Sequence, residues 1–294
     1  WQSDTLSVCY STGKGVLSTL AHILVSEGFL DYDTPVAQYW PDFAQHGKAK
    51  ITLRHILSHQ SGLYDIRNQI ETALEMADWS HMLEVIAKAK PHFEIATDAA
   101  YQALTFGWLV GGVLEKATGK SLSDLMLQYL VQPLQLDGAY FGVTEFELAR
   151  VARPLAKLKT EPKPSGQAKP KPKKASLFDK IVEWSGQNPQ DFQDAMIPKG
   201  MKKFSFFSDE GLKAVIPAAN GVFTADSLAK IYAMLANAGE WKGQQLIRPD
   251  IFKNLSAIQY TQRDRIMPLP MYWRLGYHRV LTLGKSSKGF GHMG

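Results

Sequence analysis

Residues 11–28 constrain this chain more tightly than any other stretch. Val16, Leu17, Leu20, Ile23 and Leu24 recur at helical spacing on one broad apolar face, and Gly28 supplies a C-terminal stop. A buried helix is therefore predicted from Ser11 to Glu27. Its head carries Ser11-Thr12-Gly13-Lys14, a hydroxyl and an amine three residues apart and so on one face of the first turn. A serine beside an unprotonated, desolvated lysine can lose its proton as it attacks, and the helix N-terminus favours negative charge nearby. An isolated tetrad of this kind is common, and alone it reads equally as the start of a core helix.

Two other motifs are excluded here. A phosphate-binding loop needs Gly five residues before Gly-Lys and Ser or Thr after it, where this chain has Val8 and Gly15. An esterase elbow needs Gly two residues on either side of the serine, and Cys9 breaks that pattern.

With Leu30–Val36, Ile51–Leu63, Leu104–Gly111, Ala117–Leu122 and Pro217–Thr224 in order behind the tetrad, the chain resembles the penicillin-recognising serine hydrolases: class C β-lactamases, DD-peptidases and their esterase relatives. The resemblance spans everything outside about 150–204, and it implies an α+β, multi-domain, β-lactamase/DD-peptidase-like fold. A largely helical domain, 29–268, would pack on a partly represented α/β domain with an antiparallel sheet, built from 1–28 and 269–294. Tyr101-Gln102-Ala103 falls where the family has Tyr-x-Asn, which makes Tyr101 the second catalytic residue beside Ser11 and Lys14. Near an ammonium its phenol is expected to have a lowered pKa and to act as phenolate or as a hydrogen-bond partner. His292-Met293-Gly294 matches the His-x-Gly form of the third motif, so Gln102, His292 and Gly294 are expected at the substrate. His292 would bond the Tyr101 oxygen or a substrate carboxylate, and its titration would make activity depend on pH.

Ala103 replaces the family's amide-holding Asn, which turns the expectation from β-lactams toward simple esters in the manner of the family VIII carboxylesterases. The alternatives are a β-lactamase or D-amino-acid peptidase and, from another class, a non-catalytic scaffold. The family's second oxyanion donor would follow Gly294, and further strands would precede Trp1, so a piece of a longer chain is expected.

The 294 residues, 45% of them hydrophobic, suffice for a sizeable core. The net charge of +5 would suggest an anionic partner until it is located. Seven lysines lie between Lys157 and Lys174 among Pro162, Pro164, Pro170 and Pro172, with only Glu161 against them. That stretch reads as a mobile insertion over about 157–175, and the remainder is close to neutral, so nucleic acid is not expected. No apolar run reaches about 20 residues, so no membrane span is expected. A single cysteine, Cys9, forms no internal disulfide, which leaves cytoplasm and periplasm both open. His55 and His59 could share a helix face, but Ile56 stands where a zinc protease needs Glu, so capping or packing is expected. No cofactor or metal is expected; a small ester is the expected partner, and a homo-oligomer stays open.

Overall fold

The computed structural model describes residues 1–154, 187–280 and 289–294. The lysine-rich insertion lies outside the described residues. The helices are α1 (Thr12–Ser26), α2 (Val36–Tyr39), α3 (Leu53–Leu57), α4 (Trp79–Lys88), α5 (Thr105–Thr118), α6 (Leu122–Met126) and α7 (Gln132–Leu134), followed by α8 (Pro189–Met196), α9 (Asp209–Lys213), α10 (Ala225–Ala236) and α11 (Pro249–Ser256). The strands are short: β1 (Ser7–Val8), β2 (Ala139–Tyr140), β3 (Val222–Phe223), β4 (Glu240–Trp241), β5 (Gln244–Gln245), β6 (His278–Arg279) and β7 (Phe290–Gly291). Among the described residues these strands pair antiparallel, in sheets ordered β1-β3-β2, β4-β5 and β6-β7.

The molecule is mixed helix and sheet, as the sequence implies, with α1 as its axis. Every residue of α1 from Gly13 to Ser26 is buried, not only one face. A helix covered on all sides belongs at the centre of a core. Its principal partner is α5, whose Phe106, Leu109, Val110 and Val113 are fully enclosed with Leu17, Leu20 and Leu24. The sequence pattern predicts helices over 53–58, 79–89, 105–118, 122–131 and 225–238, and α3, α4, α5 and α10 stand within two residues of those bounds.

One expected helix changes form. Residues 122–131 begin as α6 and widen into a π-helix at Leu127–Val131. Pro133 has no N–H for the carbonyl of Tyr129, so the regular ladder cannot continue there.

α3 stops at Leu57, so His55 and His59 do not share a helix face. His55 completes a capping box with Thr52. His59 lies beyond the helix in a left-handed backbone conformation, φ 61°, and is fully buried.

Candidate active site

β1 leads into the nucleophile turn. Cys9 N–H donates to Gly221 O at 2.9 Å, and Tyr10 then takes φ 44°, rare for an aromatic residue, which swings the chain from strand to helix. Ser11 heads α1 with helical angles, and its side chain makes no cap bond, although serine at that position ordinarily caps. The turn carbonyls of Cys9, Tyr10 and Ser11 take the N–H groups of Thr12, Gly13 and Lys14 instead. The half-exposed Ser11 hydroxyl is thereby left for other partners.

Those partners are the two expected side chains. Lys14 Nζ stands 2.9 Å from Ser11 Oγ, and the Tyr101 phenol donates to the same oxygen at 2.8 Å. Lys14 is completely enclosed and donates also to Ala103 O at 2.7 Å and Ala218 O at 2.8 Å. Desolvation pushes its pKa well below the usual lysine range, because an enclosed ammonium lacks water and has no carboxylate among these contacts.

Tyr101 corrects one expectation. Burial raises its pKa, and the bond to Ser11 only partly opposes this, so at neutral pH it is a phenol and not a phenolate. Lys14 lies over its ring, 4.9 Å from the centroid. Trp273 stacks on the ring's face at 5.7 Å with planes 7° apart, and His59 meets it edge-on at 5.1 Å.

Gln102 is a second correction. It is fully buried and points into the protein: Oε1 accepts from Ser61 Oγ at 2.5 Å, and Nε2 donates to Ile56 O at 2.8 Å. Its backbone N–H donates to His59 Nδ1 at 3.2 Å. With its amide engaged in this way, it holds the Tyr101 loop and faces no substrate.

His292 comes to the site in a different role from the one expected. Its ring lies 6.2 Å from that of Tyr101, with the planes 29° apart, and Nδ1 is 2.8 Å from Met293 O. A carbonyl only accepts, so Nδ1 carries the proton; Nε2 is then a bare acceptor, buried and without a partner among the described residues. Burial drives its pKa well below 6.5. His292 is therefore a neutral wall near pH 7, neither bonded to the Tyr101 oxygen nor a cation for a carboxylate. Gly294 lies against the nucleophile turn, where a Cβ would come within 2.2 Å of Cys9 O.

A family model described as Beta-lactamase matches residues 1–294. The chain belongs to the Beta-lactamase family. Of the relatives of this Beta-lactamase chain, Esterase/beta-lactamase LipL of Mycobacterium tuberculosis is 32% identical over 295 residues, covering 100% of this chain and 65% of that protein. The chain thus spans less than two thirds of that relative's length. Among solved structures, a family VIII carboxylesterase superposes with TM-score 0.80 at 27% identity, covering 100% of this chain and 73% of the other. A penicillin-binding protein homolog from Caulobacter crescentus gives TM-score 0.77 at 30% identity, over 99% of this chain and 72% of that one. The chain has the β-lactamase fold, and proteins named as esterases are among those it is similar to.

Several further residues build this site without reacting groups of their own. Ala218 reaches Lys14 only because Asn220, fully buried, folds the 216–221 turn: its Oδ1 accepts from Ile216 N–H at 3.0 Å, and its Nδ2 donates to Gly211 O and Ala214 O. Gly13 and Gly15 let neighbours press on the first turn of α1; a Cβ at 13 would lie 2.4 Å from Pro217 O, and one at 15 would lie 2.5 Å from Tyr232 Oη. Among the described residues no group of three or more His, Cys, Asp or Glu is placed to hold a metal ion, and no helix is long and apolar enough to cross a membrane.

Proposed function

We propose that the protein is a carboxylesterase for small or short-chain esters, working through an acyl-enzyme on Ser11. The observation that carries this reading is the Ser11 hydroxyl, free of helix capping and flanked by Lys14 Nζ at 2.9 Å and the Tyr101 phenol at 2.8 Å. A neutral Lys14 has two N–H groups, which the Ala103 and Ala218 carbonyls take, and its lone pair then faces Ser11 Oγ. Lys14 is accordingly the base.

Ser11 Oγ attacks the ester carbonyl, and its proton passes to Lys14. As the carbon–alkoxide bond breaks, the alkoxide leaves with the Tyr101 proton, and the Lys14 proton restores the phenol. Water then attacks the acyl-enzyme by the same route in reverse, releasing the acid and regenerating Ser11. The Ser11 N–H, which has no acceptor among the described residues, is one donor to the oxyanion.

The preference for esters rests on Ala103 and His292. A methyl group stands where the family's amide-holding Asn would be, and a neutral imidazole where a cation would meet a carboxylate. Relatives named esterase support it. The word beta-lactamase in one of those names keeps β-lactam cleavage as a minor second activity.

Ser11→Ala should abolish hydrolysis of nitrophenyl butyrate while the circular dichroism stays native. Turnover retained by that variant would remove Ser11 from the mechanism. The wild type should favour the butyrate over nitrocefin by orders of magnitude in kcat/KM, and the reverse order would assign the site to β-lactams.

A further inference from the structure

Outside the residues assigned to the chemistry, one buried carboxylate is attached to the catalytic constellation from two directions. Asp264 is 1% exposed. Its Oδ1 accepts three backbone N–H groups, from Ile266 at 2.8 Å, Met267 at 2.9 Å and Tyr101 at 3.2 Å. Its Oδ2 accepts the indole N–H of Trp273 at 2.9 Å. Two of the backbone bonds close a local turn, as aspartates commonly do. The other two reach the backbone of Tyr101 and the ring stacked on its phenol.

We propose that Asp264 is the positioning residue of the Tyr101 phenol, acting through Trp273; the proposal rests on the role given to Tyr101 above. A phenol on a loop can swing about two side-chain bonds. Here the swing is blocked on one face by Trp273, with planes 7° apart, and at an edge by His59, whose ring also lies 4.2 Å from that of Trp273. Trp273 follows Tyr272, which takes a left-handed φ of 51°, so the indole is set by a backbone that is itself constrained. The carboxylate joins that indole to the main chain of Tyr101. The segment around it is fastened as well: Arg265 N–H donates to Ala99 O at 2.9 Å, and the Arg265 guanidinium pairs with Asp98 at 2.5 Å. The 2.8 Å bond from Tyr101 to Ser11 is the quantity this arrangement protects.

Asp264→Asn separates the two arms. With its amide oxygen in the Oδ1 position, the three backbone bonds persist, while the NH2 group opposes the Trp273 N–H and releases the indole. The expected result in the full-length enzyme is a fall in kcat for nitrophenyl butyrate of roughly 10- to 100-fold, the scale set by misplacing a catalytic group by about 1 Å. KM and the thermal midpoint should change little.

The deciding measurement is the same substitution in a Tyr101→Phe background. There Asp264→Asn should lower kcat by less than about twofold, because the group it positions is gone. An undiminished loss in that background overturns the positioning role. Full activity in Tyr101→Phe alone overturns instead the catalytic role of Tyr101. Should Asp264→Asn fail to fold, Trp273→Phe reads the same arm, since it keeps a stacked ring and removes the indole donor. Its kcat loss should likewise vanish beside Tyr101→Phe, and a loss that persists counts against the proposal.

Discussion

In the proposed mechanism Lys14 is the residue on which the chemistry turns, because its protonation state decides whether Ser11 has a base. A fully enclosed amine with two carbonyls and a hydroxyl around it, and no carboxylate, is one that burial pushes toward neutrality. The sign of the pH dependence follows. The neutral form is the active one, so kcat/KM should fall as pH drops through the lowered lysine pKa and level off above it. The acid limb should therefore lie well below about 10.4, the ordinary lysine value. A pH–rate profile on nitrophenyl butyrate checks this, and activity climbing without a plateau to pH 10 would contradict it. Lys14→Arg should lose at least about 10²-fold, the scale of lost proton transfer, since a guanidinium stays protonated. Ser11 and Lys14 were legible in the sequence because they lie within one helical turn. Trp273 and Asp264 belong to no motif, since each matters only through contacts made across the fold.

At the scale of elements, the first turn of α1 works because other backbone comes against it. Helix periodicity foretold α1, α3, α4, α5 and α10 closely, since each has an apolar repeat or a cap of its own. The 216–221 turn offers no such repeat; its shape comes from one buried asparagine and from contact with a helix some 200 residues earlier in the chain. Gly13 makes that contact fit. In an isolated helix Gly13→Ala would stabilise by up to about 1 kcal/mol. Here the new methyl would lie 2.4 Å from Pro217 O, so the turn has to move, and Ala218 O moves with it away from Lys14. Gly13→Ala should then cost roughly 10-fold or more in kcat, by the same misplacement argument, and lower the thermal midpoint despite its helix preference. Unchanged kinetics would mean that the Ala218 carbonyl is dispensable.

For the whole molecule, the packing that neutralises Lys14 also encloses histidines, and this makes the fold acid-sensitive. His22 is fully buried midway along α1, with Nδ1 2.7 Å from Tyr32 Oη and Nε2 2.9 Å from Leu275 O; burial lowers its pKa to about 3. His59 and His292 are pushed down in the same direction. Unfolded imidazoles titrate near 6.5, so as pH falls below that value the unfolded chain takes up protons that the native one refuses, and stability is lost. Asp264 has the opposite sign. Burial outweighs its N–H donors and lifts its pKa to about 6, so between there and the ordinary aspartate range the native state binds the proton more readily and gains stability. His278 is buried and lowered likewise, so four enclosed imidazoles stand against this one raised carboxyl, and the unfolding free energy should be lower at pH 5 than at pH 7. His22 alone should contribute roughly 2 kcal/mol of that difference between pH 7 and pH 5, its slope approaching about 1.4 kcal/mol per pH unit only well below 6.5. His22→Gln keeps a donor for Leu275 O and an acceptor for Tyr32, so it should fold and show the shallower slope in urea titrations at the two pH values. Equal stability at pH 5 and 7 would refute the enclosure argument for the histidines.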